Sequence, residues 1–233
     1  MKAIRIRCIN TLTKTLITAA TALFLTGQLA TNTALAAQKE FHNPFYSSVP
    51  SAYMEDPRRI EWQKPEQVID HLFIKQGNTV ADIGAGTGYF TTLFSQHVGK
   101  NGMVYAVDVD ESMVKLLRNR TEKENLRNVT SILAKSDDPL LPNLSTDLVF
   151  ICDTYLFLEN RVPYLTRLRN SLKSGGRLAI LSFNTKAEIP GAPPAHKMIS
   201  KENTIQEVEK AGFALEAEYF FLPYHDFFVF IKR

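Results

Sequence analysis

The stretch that decides the fold is the run Val80-Ala81-Asp82-Ile83-Gly84-Ala85-Gly86-Thr87-Gly88-Tyr89-Phe90. Its first half is apolar enough to form a buried strand, and its last residues begin a pattern of apolar positions that is typical of a helix. Three glycines lie between the two. Because glycine has no Cβ, the backbone can turn tightly there and approach a ligand closely, and the N-terminus of the following helix attracts an anion. The run therefore predicts a strand–loop–helix unit that binds a charged ligand.

The spacing of these glycines separates two classes of nucleotide-binding loop. It is G-x-G-x-G, whereas the nicotinamide dinucleotide fingerprint is G-x-G-x-x-G and would place its third glycine at Tyr89. Asp108 ends the next predicted strand, about 20 residues further on, where an acid usually binds a ribose diol. Further acids follow the third and fourth predicted strands, at Asp137 or Asp138 and at Asp153. The pattern favours a nucleoside-containing ligand and disfavours a nicotinamide oxidoreductase.

Strands and helices alternate outward from this run. Apolar runs predict strands at residues 78–83, 103–109, 129–134, 147–152, 177–183, 214–221 and 227–231. Helical periodicity is found from residue 65 and over residues 89–98, 112–120, 161–172 and 202–211. Alternation predicts a mostly parallel sheet with helices on both faces, and the last two strands, with no helix between them, form an antiparallel hairpin. We therefore expect a single α/β domain over residues 65–233, a Rossmann-like three-layer sandwich with a seven-stranded sheet.

Local signals set several ends of these elements. Pro65 suits the first turn of a helix, and the apolar face of that helix is expected to contain Val68, Ile69, Leu72 and Phe73. A Gly175-Gly176 turn precedes the fifth strand, and Gly212 is expected to close the last helix. The aromatic run of the closing strands is interpreted as strand core, and its members are Tyr219, Phe220, Phe221, Tyr224, Phe227, Phe228 and Phe230.

The first 36 residues have the composition of a secretory signal. A basic region up to Lys14 precedes a mostly apolar stretch over residues 15–30, and Ala34-Leu35-Ala36-Ala37 supplies the small residues that a signal peptidase accepts. The apolar stretch is short for a membrane span. We expect residues 1–36 to be removed and residues 37–64 to form an N-terminal arm. The mature protein would then be periplasmic or secreted, with an uncleaved anchor as the alternative.

The net charge of +3 depends on this segment. Its four basic residues and no acid account for the excess, and the remaining chain holds 23 basic and 24 acidic residues. A protein near neutrality has no electrostatic basis for non-specific nucleic-acid binding. The five His and the Cys that remains after cleavage show no metal-ligand spacing. The partner expected is a small-molecule substrate, with no nucleic acid, no metal and no stable membrane span after cleavage. The sequence does not indicate an oligomeric state.

Four motifs together resemble those of the class I S-adenosylmethionine-dependent methyltransferases. They are, in chain order, VADIGAGTGYF, VYAVDVDESMV, SDDPLLP and DLVFICDTY. The resemblance covers roughly residues 58–233 and includes the terminal hairpin. The nearest likeness is to small, often exported bacterial proteins with a WQKPEQVI-type lead-in and a closing FLPY-x-x-FFVF segment.

The resemblance implies S-adenosylmethionine as the cofactor, and it implies a role for each matching residue. Three glycines would cradle the methionine part: Gly84, Gly86 and Gly88. Asp82 would help to hold that loop and the amino group, and Asp108 would bind the ribose hydroxyls. Asp137 would bind the adenine amino group, with Asp138 as the alternative in register. Asp110 better suits a helix N-cap than a cofactor contact.

The catalytic residues are less well defined. Asp153 and Tyr155 follow the fourth strand, where this fold positions substrate, although packing or capping would explain them nearly as well. His196 lies on a loop beyond the fifth strand, near the expected mouth of the pocket. Trp62 and Gln63 of the arm either fold over the cofactor or simply pack. The expected function is methyl transfer to a small-molecule or lipid-like acceptor, and the alternative is a catalytically silent S-adenosylmethionine-binding or scaffold protein.

Overall fold

A computed structural model describes residues 51–187 and 192–233. The predicted signal segment and the arm up to residue 50 lie outside the described residues. Within them, seven strands form one sheet. The strands are β1 (Thr79–Ile83), β2 (Met103–Asp108), β3 (Val129–Leu133), β4 (Thr146–Cys152), β5 (Leu172–Phe183), β6 (Phe213–Tyr219) and β7 (His225–Lys232).

Helices precede or connect most of these strands. In the described residues they are α1 (Ser51–Met54), α2 (Arg59–Trp62), α3 (Pro65–His71), α4 (Tyr89–Val98), α5 (Glu111–Lys123), α6 (Arg161–Ser171) and α7 (Lys201–Lys210). Two short 3-10 turns, Tyr155–Phe157 and Ala195–Lys197, follow β4 and β5. Asp110 caps α5 as expected, because its carboxylate accepts the Ser112 N–H at 2.7 Å.

The strand order is β3-β2-β1-β4-β5-β7-β6. The first five strands in this order are parallel, and β7 runs antiparallel to both β5 and β6. The predicted Rossmann-like sheet with its terminal antiparallel hairpin is therefore confirmed. The order reverses between β1 and β4, and ligands of such sheets bind in the crevice at the carboxyl ends of the strands there. The fold thus brings the glycine loop after β1 and the acid after β4 to one edge.

Apolar side chains on both faces of the sheet hold the layers together. On one face Val68, Ile69 and Phe94 from α3 and α4 pack on the central strands, and on the other Leu165 and Val208 from α6 and α7 do so. A strand covered on both faces must be nearly continuously apolar, which is the pattern of β4, where Leu148 through Ile151 are all buried. The apolar runs that can be identified in the sequence therefore account for each layer of the fold.

The Gly175-Gly176 turn was predicted in the wrong place. β5 begins at Leu172, before the glycines, and pairs with β4 on both sides of them. Thr146 is opposite Leu172, whereas Leu148 is opposite Arg177, so β5 holds three additional residues between these pairs. The glycines therefore form a bulge within the strand, and Gly175 adopts φ +71° there.

Two aromatic residues predicted to be in the core are exposed. The chain leaves α3 through Phe73, which has φ +48°, and 65% of this residue is accessible to solvent. Phe220 lies between β6 and β7 and is 78% exposed. Both follow the last residue of a regular element, where the direction of the side chain is no longer set by helix or strand period. Gly212 does end α7 in the left-handed region, at φ +91°.

Candidate active site

The glycine loop between β1 and α4 is held by its neighbours on the sheet. Gly84 and Ala85 both donate backbone hydrogen bonds to the Val107 carbonyl, at 2.8 and 3.0 Å. Gly84 has φ +70°, and a Cβ added there would overlap the side chain of Thr154, which follows β4. The loop therefore needs glycine at this position for two separate reasons, the backbone conformation and the close approach of the β4 loop.

A cleft opens beside this loop at the carboxyl ends of β1, β4 and β5. The loop forms one side, and Asp82 and Asp153 are also among the residues that line the cleft. The other walls are largely aromatic and include Tyr53, Trp62, Tyr89, Phe90, Phe157 and Phe183. Small-molecule sites have this composition, with apolar walls and a few convergent polar groups.

Asp82 is the most deeply buried acid of the cleft. It is 3% exposed, and its carboxylate accepts a 2.6 Å hydrogen bond from the Thr91 hydroxyl. Burial raises the pKa of Asp82 from 3.8 to about 7, and the negative charge of nearby Asp108 adds to the rise. A carboxyl in this condition stabilises a cation that binds beside it, because the cation replaces the lost hydration.

Asp108 holds the glycine loop to the end of β2. Its two carboxylate oxygens accept backbone N–H groups, from Gly86 at 2.8 Å and from Asp110 at 2.9 Å. Burial raises the pKa of Asp108, and these hydrogen bonds oppose the rise. A carboxylate offers about four acceptor sites in all, so two hydroxyls of a sugar could be bound as well. Asp108 is itself only 3% exposed, and the predicted ribose contact stays a prediction.

Asp153 occupies the point where the chain leaves β4. It has φ +53°, a left-handed conformation, and its side chain keeps 24% of its surface exposed. Gln63 Nε2 donates to Asp153 Oδ2 at 3.1 Å, and His225 Nε2 lies 3.4 Å from the same oxygen. The neighbouring Cys152 stays a thiol at neutral pH, because burial raises its pKa well above the usual value. Asp153 therefore supplies the carboxylate at this end of the cleft.

The arm supplies a cation to the cleft. Arg59 is 8% exposed, and its guanidinium lies 3.8 Å above the centre of the Tyr89 ring. Its Nε donates to Gln63 Oε1 at 2.7 Å, and its Nη1 donates to the Met54 carbonyl. None of the ion pairs among the described residues includes Arg59. A buried guanidinium without a carboxylate partner suits an anionic ligand group.

Glu55 fastens the arm to the glycine loop. It accepts a hydrogen bond from the Thr87 hydroxyl at 2.5 Å and forms an ion pair with Arg120 of α5 at 2.7 Å. Arg120 in turn donates to the Thr87 carbonyl at 3.2 Å. Trp62, which the sequence left between two roles, forms part of the cleft wall. The last residues of the arm therefore belong to the site.

Five of the predicted site residues do not line the cleft: Gly88, Asp108, Asp137, Tyr155 and His196. Tyr155 is 1% exposed, and its hydroxyl donates to Glu207 of α7 at 2.7 Å, which is a packing contact. Asp137 has an exposed side chain, 3.8 Å from Arg167. His196 lies in an exposed 3-10 turn, although the nearby Pro193 does reach the cleft. The adenine contact of Asp137 and a catalytic role for His196 stay predictions.

Sequence reasoning missed Arg59 and His225. Nothing around Arg59 in the sequence distinguishes it from the neighbouring Arg58. His225 could have been found from register, because the first residue of β7 pairs with Phe183, the last residue of β5. Since β5 lies next to β4, that pairing brings the imidazole to the acid that follows β4.

Comparison with known proteins agrees with this geometry. A family model described as "Methyltransferase domain" matches residues 74–218. The chain belongs to this methyltransferase family. The solved structure of an S-adenosylmethionine-dependent methyltransferase from Aquifex aeolicus is similar to this methyltransferase domain, with a TM-score of 0.74 and 28% identity over 78% of this chain and 97% of that one.

Curated relatives are similar to the central part of this methyltransferase. The ubiquinone/menaquinone biosynthesis C-methyltransferase UbiE of Hydrogenovibrio crunogenus is 35% identical over 48% of this chain and 44% of its own. The aklanonic acid methyltransferase DauC of a Streptomyces species is 32% identical over 51% of this chain and 54% of its own. The chain spans about half the length of the curated relatives it matches.

The cofactor of the family is S-adenosylmethionine, and the chemistry of the cleft fits it. Its carboxylate requires a cation and its ammonium an anion, and the cleft contains one residue of each kind, Arg59 and Asp82, that would suit them. Aromatic faces attract a sulfonium as they attract other cations. Among the described residues, no group of three or more His, Cys, Asp or Glu could hold a metal ion. None of the helices in the part of the chain described is long and apolar enough to span a membrane.

Proposed function

We propose that this methyltransferase transfers a methyl group from S-adenosylmethionine to a small, flat, largely apolar acceptor. One observation carries the proposal: the glycine loop and the Asp153 carboxylate face the same aromatic-walled cleft. A group-transfer site needs a part that holds the donor and a part that receives the acceptor. The glycine loop is suited to the first, and a carboxylate beside an apolar wall is suited to the second.

Residues of the chain have separate tasks in this reaction. Arg59 and Asp82 hold the two charged ends of the methionine group, and the glycine loop supplies backbone contacts to it. S-adenosylmethionine supplies a methyl group on a sulfonium, whose leaving group is already good. Alignment and exclusion of water can then account for much of the acceleration. Trp62, Phe157 and Phe183 provide the apolar surface that aligns the acceptor and excludes water.

The names of the relatives support a flat acceptor. UbiE is named for C-methylation in ubiquinone and menaquinone biosynthesis, and DauC for aklanonic acid. Ubiquinone and menaquinone are flat ring compounds of low polarity. Because the matched segment covers about half of each relative, the acceptor proposed for this chain rests equally on the aromatic walls of its own cleft.

The first experiment is a calorimetric titration of the full chain with S-adenosylmethionine, with NADH as a control ligand. Asp108→Ala should weaken binding about tenfold or more, as expected for loss of charged hydrogen bonds. Asp70→Ala is the matched control, because Asp70 is exposed on α3 away from the cleft. Folded protein that does not bind S-adenosylmethionine, or that binds NADH equally well, would contradict the proposed function.

We also propose that residues 1–36 direct export and are removed. The basic, apolar and small-residue regions in order support this proposal. N-terminal sequencing of the protein recovered from fractionated bacterial cells tests it. The expected first residue is Ala37, in the periplasmic or secreted fraction. A chain that still begins at Met1 and stays with the membrane fraction would indicate an uncleaved anchor instead.

A further inference from the structure

Three residues at one end of the cleft, Tyr53, Asp153 and His225, each carry a buried polar atom with no hydrogen-bond partner. Four buried side-chain atoms of the described residues have no hydrogen-bond partner: Tyr53 Oη, Asp153 Oδ1, Ser182 Oγ and His225 Nδ1. Tyr53 and Asp153 line the cleft, and His225 contacts Asp153 directly. Buried polar groups are nearly always paired in folded proteins, so such a concentration requires an explanation. A ligand that brings its own polar group to this place provides one.

Asp153 is held through one of its two carboxylate oxygens, and its side chain is 24% exposed. The His225 side chain is completely buried, with Nε2 3.2 Å from Asp153 Oδ1 and 3.4 Å from Oδ2. Only Oδ2 meets the geometry of a hydrogen bond from that nitrogen. Gln63, also completely buried, donates to the same Oδ2. Both donors therefore bind one oxygen and leave Oδ1 without a partner.

The ring of His225 packs against two aromatic side chains, whose own ring centroids are 6.3 Å apart. Trp62 stacks on it with a centroid distance of 5.6 Å and an angle of 3°, and Phe183 lies 4.4 Å away. The imidazole cannot turn without disrupting these contacts, so the direction from Nε2 to Asp153 is set by packing. A carboxylate in such a setting is preorganised for one task.

We propose that the Asp153 carboxylate accepts a proton from the methyl acceptor, and that His225 is the positioning residue that holds Asp153 for this step. The proposal rests on the proposed function. The bond between the sulfonium sulfur and the methyl carbon breaks, and that carbon forms a bond to an oxygen or ring carbon of the acceptor. The proton on that atom passes to Asp153, which returns it to water after the product leaves. The products are the methylated acceptor, S-adenosylhomocysteine and one proton.

The acceptor class follows from this step. The acceptor must carry a removable proton, at a phenolic or enolic hydroxyl or at an activated ring carbon. Thioethers and tertiary amines are excluded, because they have no proton to release. The aromatic side chains around Asp153, namely Trp62, Phe157 and Phe183, favour a flat ring that carries this group.

The test compares the binding of 1-naphthol and its methyl ether, 1-methoxynaphthalene, to the full chain saturated with S-adenosylhomocysteine. The two probes have the same rings, and only the naphthol has a proton to donate. The wild-type chain should bind the naphthol about tenfold more tightly or better, which is the range for a hydrogen bond to a charged group. Asp153→Asn should bring the two affinities together, because an amide does not form the charge-assisted bond.

Two substitutions at His225 separate positioning from packing. His225→Gln keeps a donor toward Asp153 and loses the ring, whereas His225→Phe keeps a ring under Trp62 and loses the donor. The preference for naphthol should survive in His225→Gln and fall in His225→Phe. Where turnover is measurable, His225→Phe should lower kcat more than it changes KM. Emission from Trp62, the single tryptophan of the chain, and affinity for S-adenosylhomocysteine show whether each variant keeps its fold.

Each result supports or overturns the proposal. Equal wild-type affinities for the two probes, or no binding of either probe while S-adenosylhomocysteine binds, would overturn the role of Asp153. An unchanged preference in Asp153→Asn would do the same, and this variant decides the question if neither His225 variant folds. If the preference for naphthol fell in His225→Gln and survived in His225→Phe, His225 would contribute through packing alone. Failure to bind S-adenosylhomocysteine would contradict the proposed function instead.

Discussion

Trp62 lies face to face on His225, with ring centroids 5.6 Å apart and planes within 3° of parallel. Trp62 ends α2 in the arm, and His225 begins β7 in the terminal hairpin. Tyr53 stacks on Trp62 at 6.4 Å, so the aromatic contact continues into α1. The N-terminal arm is therefore joined to the last strand of the sheet across the cleft by stacked rings.

Replacing Trp62 should affect the acceptor more than the cofactor. Trp62→Ala removes the stacked surface beside Asp153 but none of the groups that hold the cofactor, so we expect naphthol affinity to fall about tenfold and S-adenosylmethionine affinity to change about twofold or less. Trp62→Phe is the matched control, because it keeps a ring at this position, and it should retain most of the naphthol affinity. Calorimetry measures both. Equal losses for the two ligands would show that Trp62 is not specific to the acceptor side.

Removing the charge of Arg59 should weaken cofactor binding. Its guanidinium is buried, forms no ion pair with the described residues and lies on the cleft wall. Arg59→Met keeps much of the side-chain volume, and we expect the Kd of S-adenosylmethionine to rise about tenfold or more, the range for a charged hydrogen bond. Arg58→Met is the control, because Arg58 pairs with Asp56 at the surface. Similar effects of the two substitutions on Kd would exclude a specific contact by Arg59.

The raised pKa of Asp82 makes the free protein less stable as the pH rises. Below about pH 4 the carboxyl is protonated in both the folded and the unfolded chain. Between pH 4 and 7 the unfolded chain releases its proton while the folded chain retains it, since burial raises the folded pKa to about 7. The free energy of unfolding therefore falls through this window and then levels off. The full difference corresponds to about 4 kcal/mol.

Asp82→Asn should remove this pH dependence. The variant should be more stable than the wild-type chain by about 2 to 4 kcal/mol at pH 8, and the difference should vanish near pH 4. It should also bind S-adenosylmethionine more weakly, because the amide does not neutralise an ammonium. Urea denaturation at several pH values, with Asp70→Asn as the control, measures the first effect. A variant that is less stable at pH 8 would contradict the buried-acid explanation.

The effect on stability of the close approach at Gly84 can be measured separately from the effect of its backbone conformation. Gly84 and Gly175 have nearly equal φ values, +70° and +71°, but only at Gly84 would a Cβ meet other atoms. Gly175→Ala should therefore cost only the conformational penalty, about 1 to 2 kcal/mol. Gly84→Ala should cost at least about 1 kcal/mol more, since Thr154 must move. Denaturation of both variants measures the difference, and equal losses would mean that the contact with Thr154 is unimportant.

The parts of the fold that depend on local signals could be predicted from the sequence. Helix α4 was predicted with its observed ends, Tyr89 and Val98, because a glycine lies immediately outside each end. Six of the seven strands were predicted to within two residues at each end, since each is a short apolar run, whereas β5 begins five residues earlier than predicted. The Gly175-Gly176 bulge could not be, because glycines predict a turn equally well whether the strand continues beyond them or not.

Only part of the site could be predicted from the sequence, and the reason is physical. The glycine loop and the acids after the strands could be found, because this fold places the carboxyl ends of its strands at one edge. Arg59 lines the cleft and Gln63 contacts Asp153, and both come from an arm whose sequence shows no clear periodicity. Such contacts are decided by tertiary packing, which no local pattern in one sequence reports. His225 needed the register between β5 and β7, which is known only once the hairpin is placed.

The arm also changes where the functional unit begins. The matched family region starts at residue 74, whereas Tyr53, Arg59 and Trp62 all contribute to the cleft. A fragment that begins at residue 74 and keeps the C-terminus would retain the complete sheet but lose one wall of the cleft, which would then be open to water. Removal of N-terminal residues by a protease can therefore preserve catalysis only if the cleavage site lies before Tyr53. The predicted cleavage after residue 36 satisfies that condition with 16 residues to spare.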